Sequence, residues 1–127
     1  PLQGRAGIAN ATLAYGRFLE VRGSARFRAL AAMGAQVQRP LWASTSPKNS
    51  AYRDVMYVER LVAPDTINTL PPQTLLAFRE HGEASSDFSR ASVHADAVRV
   101  LDDVSAAGID LHAVTAQLER DGVSGFQ

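Results

Sequence analysis

The stretch "RPLWASTSPKN", residues 39–49, passes from an apolar run, Pro40-Leu41-Trp42-Ala43, into Ser44, Thr45, Ser46, Lys48 and Asn49. Small hydroxyls and free backbone N–H groups can surround phosphate oxygens closely, and a lysine adds a charge-assisted bond without requiring planar geometry. The segment is therefore a candidate phosphate or polyol site; the competing reading is a polar turn with Lys48 exposed. Thr69 occupies a comparable place at the end of a second short run, "TINTL", residues 66–70. Lys48 could in principle form a Schiff base, but an imine lysine needs a desolvated or electropositive pocket to be neutral near pH 7. A lysine following a proline in a polar loop has no evident source of one, so phosphate contact is its expected role.

Other reactive side chains are poorly placed. Asp54, Glu59 and Asp65 lie near the second run, but as residues of a helix start and a turn they are expected to be structural or solvent-facing. Tyr52 and Tyr57 could line a cleft, although Tyr57 between Met56 and Val58 suits packing of a helix on a sheet. Trp42 is expected in the core, with a place in the wall of a substrate pocket as the alternative. His81, His94 and His112 are not grouped as metal ligands would be, and there is no cysteine. Thiolate chemistry and disulfides are thus excluded, and no metal site is expected. "GRAGIANA" lacks the lysine and hydroxyl that close a P-loop.

The elements that must carry these residues follow from periodicity. Residues 6–21 read as an amphipathic helix with Ile8, Leu13, Phe18, Leu19 and Val21 apolar, and 25–33 as a second helix stopped at Gly34. An extended run over 36–43 comes next; Pro40 is tolerable near the first ladder position of a short parallel strand. A short helical segment falls within 49–62, the second strand over 66–70, and a helix over 71–82 with Pro72 near its N-terminus and Leu75, Leu76 and Phe78 on its buried side. Ser89 or Ser92 could cap the next helix. Asp110 is the expected N-cap of a last one over 110–122, with Leu111, Val114 and Leu118 as its apolar face.

This order is α/β, with two strands that read as covered on both faces. Two strands cannot close a sheet, so a larger parallel sheet is expected to have been cut. The chain has 127 residues, is 46% hydrophobic and balances thirteen basic with thirteen acidic residues. That is one domain or a piece of one, with no global field favouring nucleic acid or an anionic membrane. No apolar run approaches the roughly 20 residues of a membrane span. A cytoplasmic protein is expected. Starting at proline and closing on "GVSGFQ", it is expected to be truncated at both ends.

Residues 38–82, "QRPLWASTSPKNSAYRDVMYVERLVAPDTINTLPPQTLLAFREHG", resemble the carboxyl-terminal barrel region of the longer bacterial transaldolases. The upstream "GRAGIANATLAY" and downstream "GIDLHAVTAQLERDGV" resemble the same family. The resemblance implies a fragment of a (β/α)8 TIM barrel, with 39–44 as the seventh strand and 66–70 as the eighth. It also implies transfer of a dihydroxyacetone unit from sedoheptulose 7-phosphate to glyceraldehyde 3-phosphate, in the pentose phosphate pathway, through a lysine Schiff base and with no external cofactor.

By the same resemblance Ser44 matches the serine that helps hold substrate phosphate. Ser46 stands where many members have an arginine, and Lys48 substitutes for that charge from two residues farther on. Asn68 and Thr69 match the pair at the end of the eighth strand, which implies a pocket-lining role for both. The imine-forming lysine belongs to the fourth strand and the acidic proton-transfer groups to the first and third, all upstream of Pro1. No catalytic residue is then expected in this chain, its partners being sugar-phosphate substrates and the remainder of its own barrel. The alternatives are a related sugar-phosphate barrel that forms no imine, and a self-sufficient helical interaction domain.

Overall fold

The fold was obtained as a computed structural model, which describes residues 2–84 and 91–126. Among the described residues six helices and two short strands follow one another as α1 (Ala6–Gly23), α2 (Ala25–Ala32), β1 (Leu41–Trp42), α3 (Met56–Arg60), β2 (Ile67–Asn68), α4 (Pro72–His81), α5 (Ala91–Ala106) and α6 (Leu111–Gly125). No helix is long and apolar enough to cross a membrane among the described residues.

The face that α1 buries matches the expected one in part: Ile8, Leu13 and Phe18 pack against the core. Leu19 and Val21 are exposed, whereas Ala9, Thr12 and Tyr15, spaced by three residues, are buried. Small side chains win here because α1 packs closely against α5. Ala9 meets Ala97 and Val100, with Leu13 and Leu101 alongside, and a Cβ on Gly16 would come within 2.7 Å of the His94 ring. The Thr12 hydroxyl, buried in this seam, donates to the Ile8 carbonyl at 2.9 Å. Hydrogen bonding within its own helix removes the cost of burying it.

Tyr15 also starts the second cluster. It packs with Leu61, flanked by Ile8, Ala11, Phe18, Trp42 and Ala63, and its hydroxyl donates to the Pro64 carbonyl at 3.1 Å. This contact fixes the turn that leads into β2. Within that turn Asp65 has φ 59° and pairs with Arg22 of α1.

Several local signals hold. Ser24 accepts from the Phe27 N–H and so caps α2, and Gly34 takes the left-handed φ of 98° expected of a helix stop. Pro72 is in the first turn of α4, and the Asp110 carboxylate accepts from the His112 and Ala113 N–H groups as the cap of α6. Ser92 proves to lie within α5 and is not its cap, and Ser89 lies outside the described residues.

Other expectations hold only in part, with Phe78 and Leu111 half-buried. On α4 the buried residue is Thr74, while Leu75 is 47% and Leu76 61% exposed. On α6 Val114 and Leu118 are exposed. Apolar periodicity marks these residues, yet among the described residues they stay exposed.

The strands are shorter than the sequence suggested, two residues each. They pair in parallel, Leu41 with Ile67 and Trp42 with Asn68. The ladder runs Ile67 N–H to Pro40 carbonyl at 2.9 Å and Thr69 N–H to Trp42 carbonyl at 2.9 Å. Pro40 contributes only its carbonyl, as its position at the strand start requires. β1 ends where Ser44 turns to φ 53°, outside extended backbone. The chain is thus a helix-rich α/β structure around a small parallel sheet.

Candidate functional site

The carboxyl ends of β1 and β2 lie side by side, because parallel pairing sends both strands out at the same end. Hydrogen bonds join the two exits. The Ser44 N–H donates to the Thr69 hydroxyl at 3.1 Å, the Thr45 N–H to the Thr69 carbonyl at 3.3 Å, and the Thr45 hydroxyl to Asn68 Oδ1 at 2.7 Å. The Ser46 N–H then folds back onto the Ser44 carbonyl at 2.8 Å.

Of the residues expected in the site, Ser44, Ser46, Asn68 and Thr69 are therefore brought together. Ser44 and Thr69 are exposed, Ser46 and Asn68 half-buried. Lys48 is exposed and makes no hydrogen bond or ion pair with another described residue. Its loop is shaped instead by Asn49, whose Oδ1 accepts from the Ala51 N–H at 2.9 Å, an Asx turn.

Strand alternation separates these groups into two faces. Trp42 and Asn68 share one face; Leu41, Ile67 and Thr69 share the other. On the first face Trp42 packs against the Tyr15–Leu61 cluster, and its indole N–H donates to the Leu61 carbonyl at 3.1 Å. The opposite face carries Leu41 at 51% exposure and Ile67 at 39%, so it is uncovered and continuous with Thr69. A cleft of about 630 Å³ adjoins β1, lined by Phe18, Phe27, Val37 and Pro40 together with Arg17 and Arg39. It sits at the strand entrance and contains none of the exit hydroxyls.

The carboxylates near the site have structural partners. Arg53 donates from Nη2 to Glu59 Oε1 at 2.9 Å, from Nε to Glu59 Oε2 at 3.1 Å and from Nη2 to the His81 carbonyl at 2.8 Å. Glu59 Oε1 also accepts from the Glu83 N–H at 3.0 Å, and Asp54 lies 2.9 Å from His81 Nε2. Together they tie the segment after the loop to the C-terminal end of α4. The hydrogen bond from Arg53 holds the Glu59 carboxyl below its ordinary 4.5, and the bond to His81 holds Asp54 below 3.8. Both are thereby kept as anions, poorly suited to take up a proton near neutral pH. No group of three or more His, Asp or Glu is arranged to hold a metal ion among the described residues.

A carboxyl whose folded pKa is lowered adds stability in full above its unfolded value, and the contribution is lost as pH falls through the folded one. The clamp should therefore weaken as the medium is acidified below the ordinary values of 4.5 and 3.8. Glu59→Gln is expected to melt below the parent at neutral pH, with the gap closing on acidification from about pH 7 to about pH 3. Thermal melts of the two proteins across that range test this, and a gap independent of pH would count against the clamp.

Residues 1–127 match the family described as Transaldolase/Fructose-6-phosphate aldolase. The chain belongs to that family. It is 51% identical over 126 residues to a protein named Transaldolase from Saccharopolyspora erythraea, covering 99% of this chain and 34% of that protein. A Transaldolase from Mycolicibacterium smegmatis is 50% identical over 126 residues, with 99% and 34% covered. One from Mycobacterium tuberculosis is 49% identical over 127 residues, again with 99% and 34% covered. The chain thus spans about a third of the length of the curated relatives it matches.

Proposed function

We propose that this chain is the carboxyl-terminal part of the (β/α)8 barrel of a transaldolase, with β1 as the seventh strand and β2 as the eighth. One observation carries the reading: in a chain of this family, two parallel strands end together in a cross-linked set of hydroxyls and backbone donors. In barrels of this kind chemistry takes place at the carboxyl ends of the strands. The uncovered face of Leu41 and Ile67 and the cleft beside β1 suit further strands supplied by the rest of the domain.

In this reading the Ser44 hydroxyl and the exposed Lys48 ammonium receive the phosphate of the sugar, Ser46 adds a second hydroxyl, and Thr69 lines the pocket. Their work is to bind and orient. A lysine in the remainder of the barrel forms the Schiff base and carries the dihydroxyacetone unit from sedoheptulose 7-phosphate to glyceraldehyde 3-phosphate, leaving erythrose 4-phosphate and yielding fructose 6-phosphate. No external cofactor is required, and a cytoplasmic setting fits sugar phosphates as substrates. Residues 1–127 alone are expected to be inactive, because none of the covalent machinery is assigned to them.

The reading is tested on the parent enzyme, comprising the whole barrel, by borohydride reduction in the presence of sedoheptulose 7-phosphate followed by peptide mapping. The expected result is one reduced adduct on a lysine outside residues 1–127, with transaldolase turnover in the untreated enzyme. An adduct on Lys48 would overturn the role given to that residue. Turnover with no trapped adduct would favour a sugar-phosphate barrel that forms no imine.

A further inference from the structure

Thr45 lies between two of the hydroxyls assigned to substrate, yet its own hydroxyl is turned inward. It is 6% exposed, with Oγ1 donating to Asn68 Oδ1 at 2.7 Å and lying 3.5 Å from the Thr69 carbonyl. Asn68, its partner, shares the Trp42 face of the sheet and not the face of Thr69. The bond therefore crosses behind the strand exits. Directly before it, Ser44 holds φ 53°, a left-handed conformation that is strained for a non-glycine residue and that persists only where surrounding contacts impose it.

From this arrangement we infer that Thr45 and Asn68 form a buckle whose function is to hold Ser44 in its left-handed turn. The pair are positioning residues that do not touch substrate, which for Asn68 replaces the pocket-lining place that the family resemblance implies. Three contacts converge to impose the turn: the Ser44 N–H on the Thr69 hydroxyl, the Thr45 N–H on the Thr69 carbonyl, and the Thr45 hydroxyl on Asn68. The first two involve Thr69, which the proposed site uses directly. Only the third is made between two side chains, with Asn68 lying on the Trp42 face of the sheet, away from Thr69. Its removal leaves the Asn68 carbonyl oxygen without this donor and releases the loop on the β1 side.

The inference rests on the proposed phosphate role of Ser44, so its test has one readout that depends on that role and one that does not. In the parent enzyme Thr45→Val, Asn68→Leu and the double variant are compared with Thr45→Ser. The independent readout is amide hydrogen exchange at Ser44 and Thr45. Thr45→Val should speed exchange at both by about 10-fold, the effect of losing one buried hydrogen bond, while Thr45→Ser keeps protection close to the parent's. The dependent readout is kinetic. Thr45→Val and Asn68→Leu should each raise KM for the phosphorylated substrate by about 5-fold with kcat within about 2-fold, and the double variant should be no worse than either, since the two act as a unit.

Thr45→Ser is expected to restore KM. Multiplying effects in the double variant would show that Asn68 meets substrate on its own and would overturn the buckle. Equal impairment by Thr45→Ser, which keeps the hydroxyl, and Thr45→Val, which loses it, would show that the hydroxyl is not what holds the turn and would overturn the buckle as well. If the parent enzyme shows no transaldolase turnover, the proposed function fails, and exchange alone then decides: unchanged protection in Thr45→Val rejects the buckle, and lost protection upholds it.

Discussion

Replacing Ser44 with glycine should raise KM for phosphorylated substrates of the parent enzyme by about 10-fold while leaving the protein as stable as before. The hydroxyl removed in this variant is the one proposed to meet phosphate, and a hydrogen bond to a charged group is worth about 1.5–3 kcal/mol. Stability is maintained because glycine occupies the φ of 53° at no steric cost, so the strain of the turn disappears with the side chain. Ser44→Val makes the complementary change. It removes the same hydroxyl but forces a β-branched residue into the left-handed region, where such side chains are genuine outliers.

The turn should then open, taking the Ser44 N–H away from the Thr69 hydroxyl. KM is expected to rise by about 100-fold or more, and the melting temperature to fall. Steady-state kinetics and thermal melts of both variants separate the hydroxyl from the backbone. A KM within about 2-fold of the parent in Ser44→Gly would return the loop to the plain polar-turn reading.

The second large effect is expected at Trp42. Its ring lies against Tyr15 and Leu61, and its N–H is hydrogen-bonded to the Leu61 carbonyl, so truncation to alanine removes packing and a donor together. Trp42→Ala should destabilise the parent enzyme by about 3–5 kcal/mol, the usual range for deleting a large core aromatic. Trp42→Phe keeps most of the packing and should cost about 1 kcal/mol for the lost hydrogen bond. Kinetics on the phenylalanine variant decide between core and substrate wall. A core role predicts unchanged KM with a lowered denaturation midpoint; a raised KM at unchanged stability would place the ring in the pocket.

The residues of the candidate site could be picked out in the sequence because the proposed chemistry is local. Ser44, Ser46, Lys48 and Thr69 follow directly from two short apolar runs that end in hydroxyls, and the caps at Ser24 and Asp110 depend only on neighbouring N–H groups. The clamp of Arg53 and Glu59 was not legible. Its endpoints, His81 and Glu83, are more than twenty residues away, and no periodicity connects them. The buried stripe of α1 was hidden for a different reason. Ala9 and Thr12 carry a weak hydrophobic signal, and only the approach of α5 makes small side chains the ones that fit.

By itself, then, the sequence determined what depends on adjacent residues: the order of helices and strands, the helix caps, the two hydroxyl-bearing exits and the family likeness. Tertiary structure alone decided which hydroxyl faces outward and which is turned in. Ser44, Thr45 and Ser46 are chemically near-equivalent in a linear chain. A parallel partner strand, supplying the Thr69 hydroxyl and carbonyl and the Asn68 amide, turns Thr45 into the interior and leaves Ser44 exposed at the exit. Register and backbone handedness make that distinction, and both arise only when segments distant in sequence are hydrogen-bonded to one another.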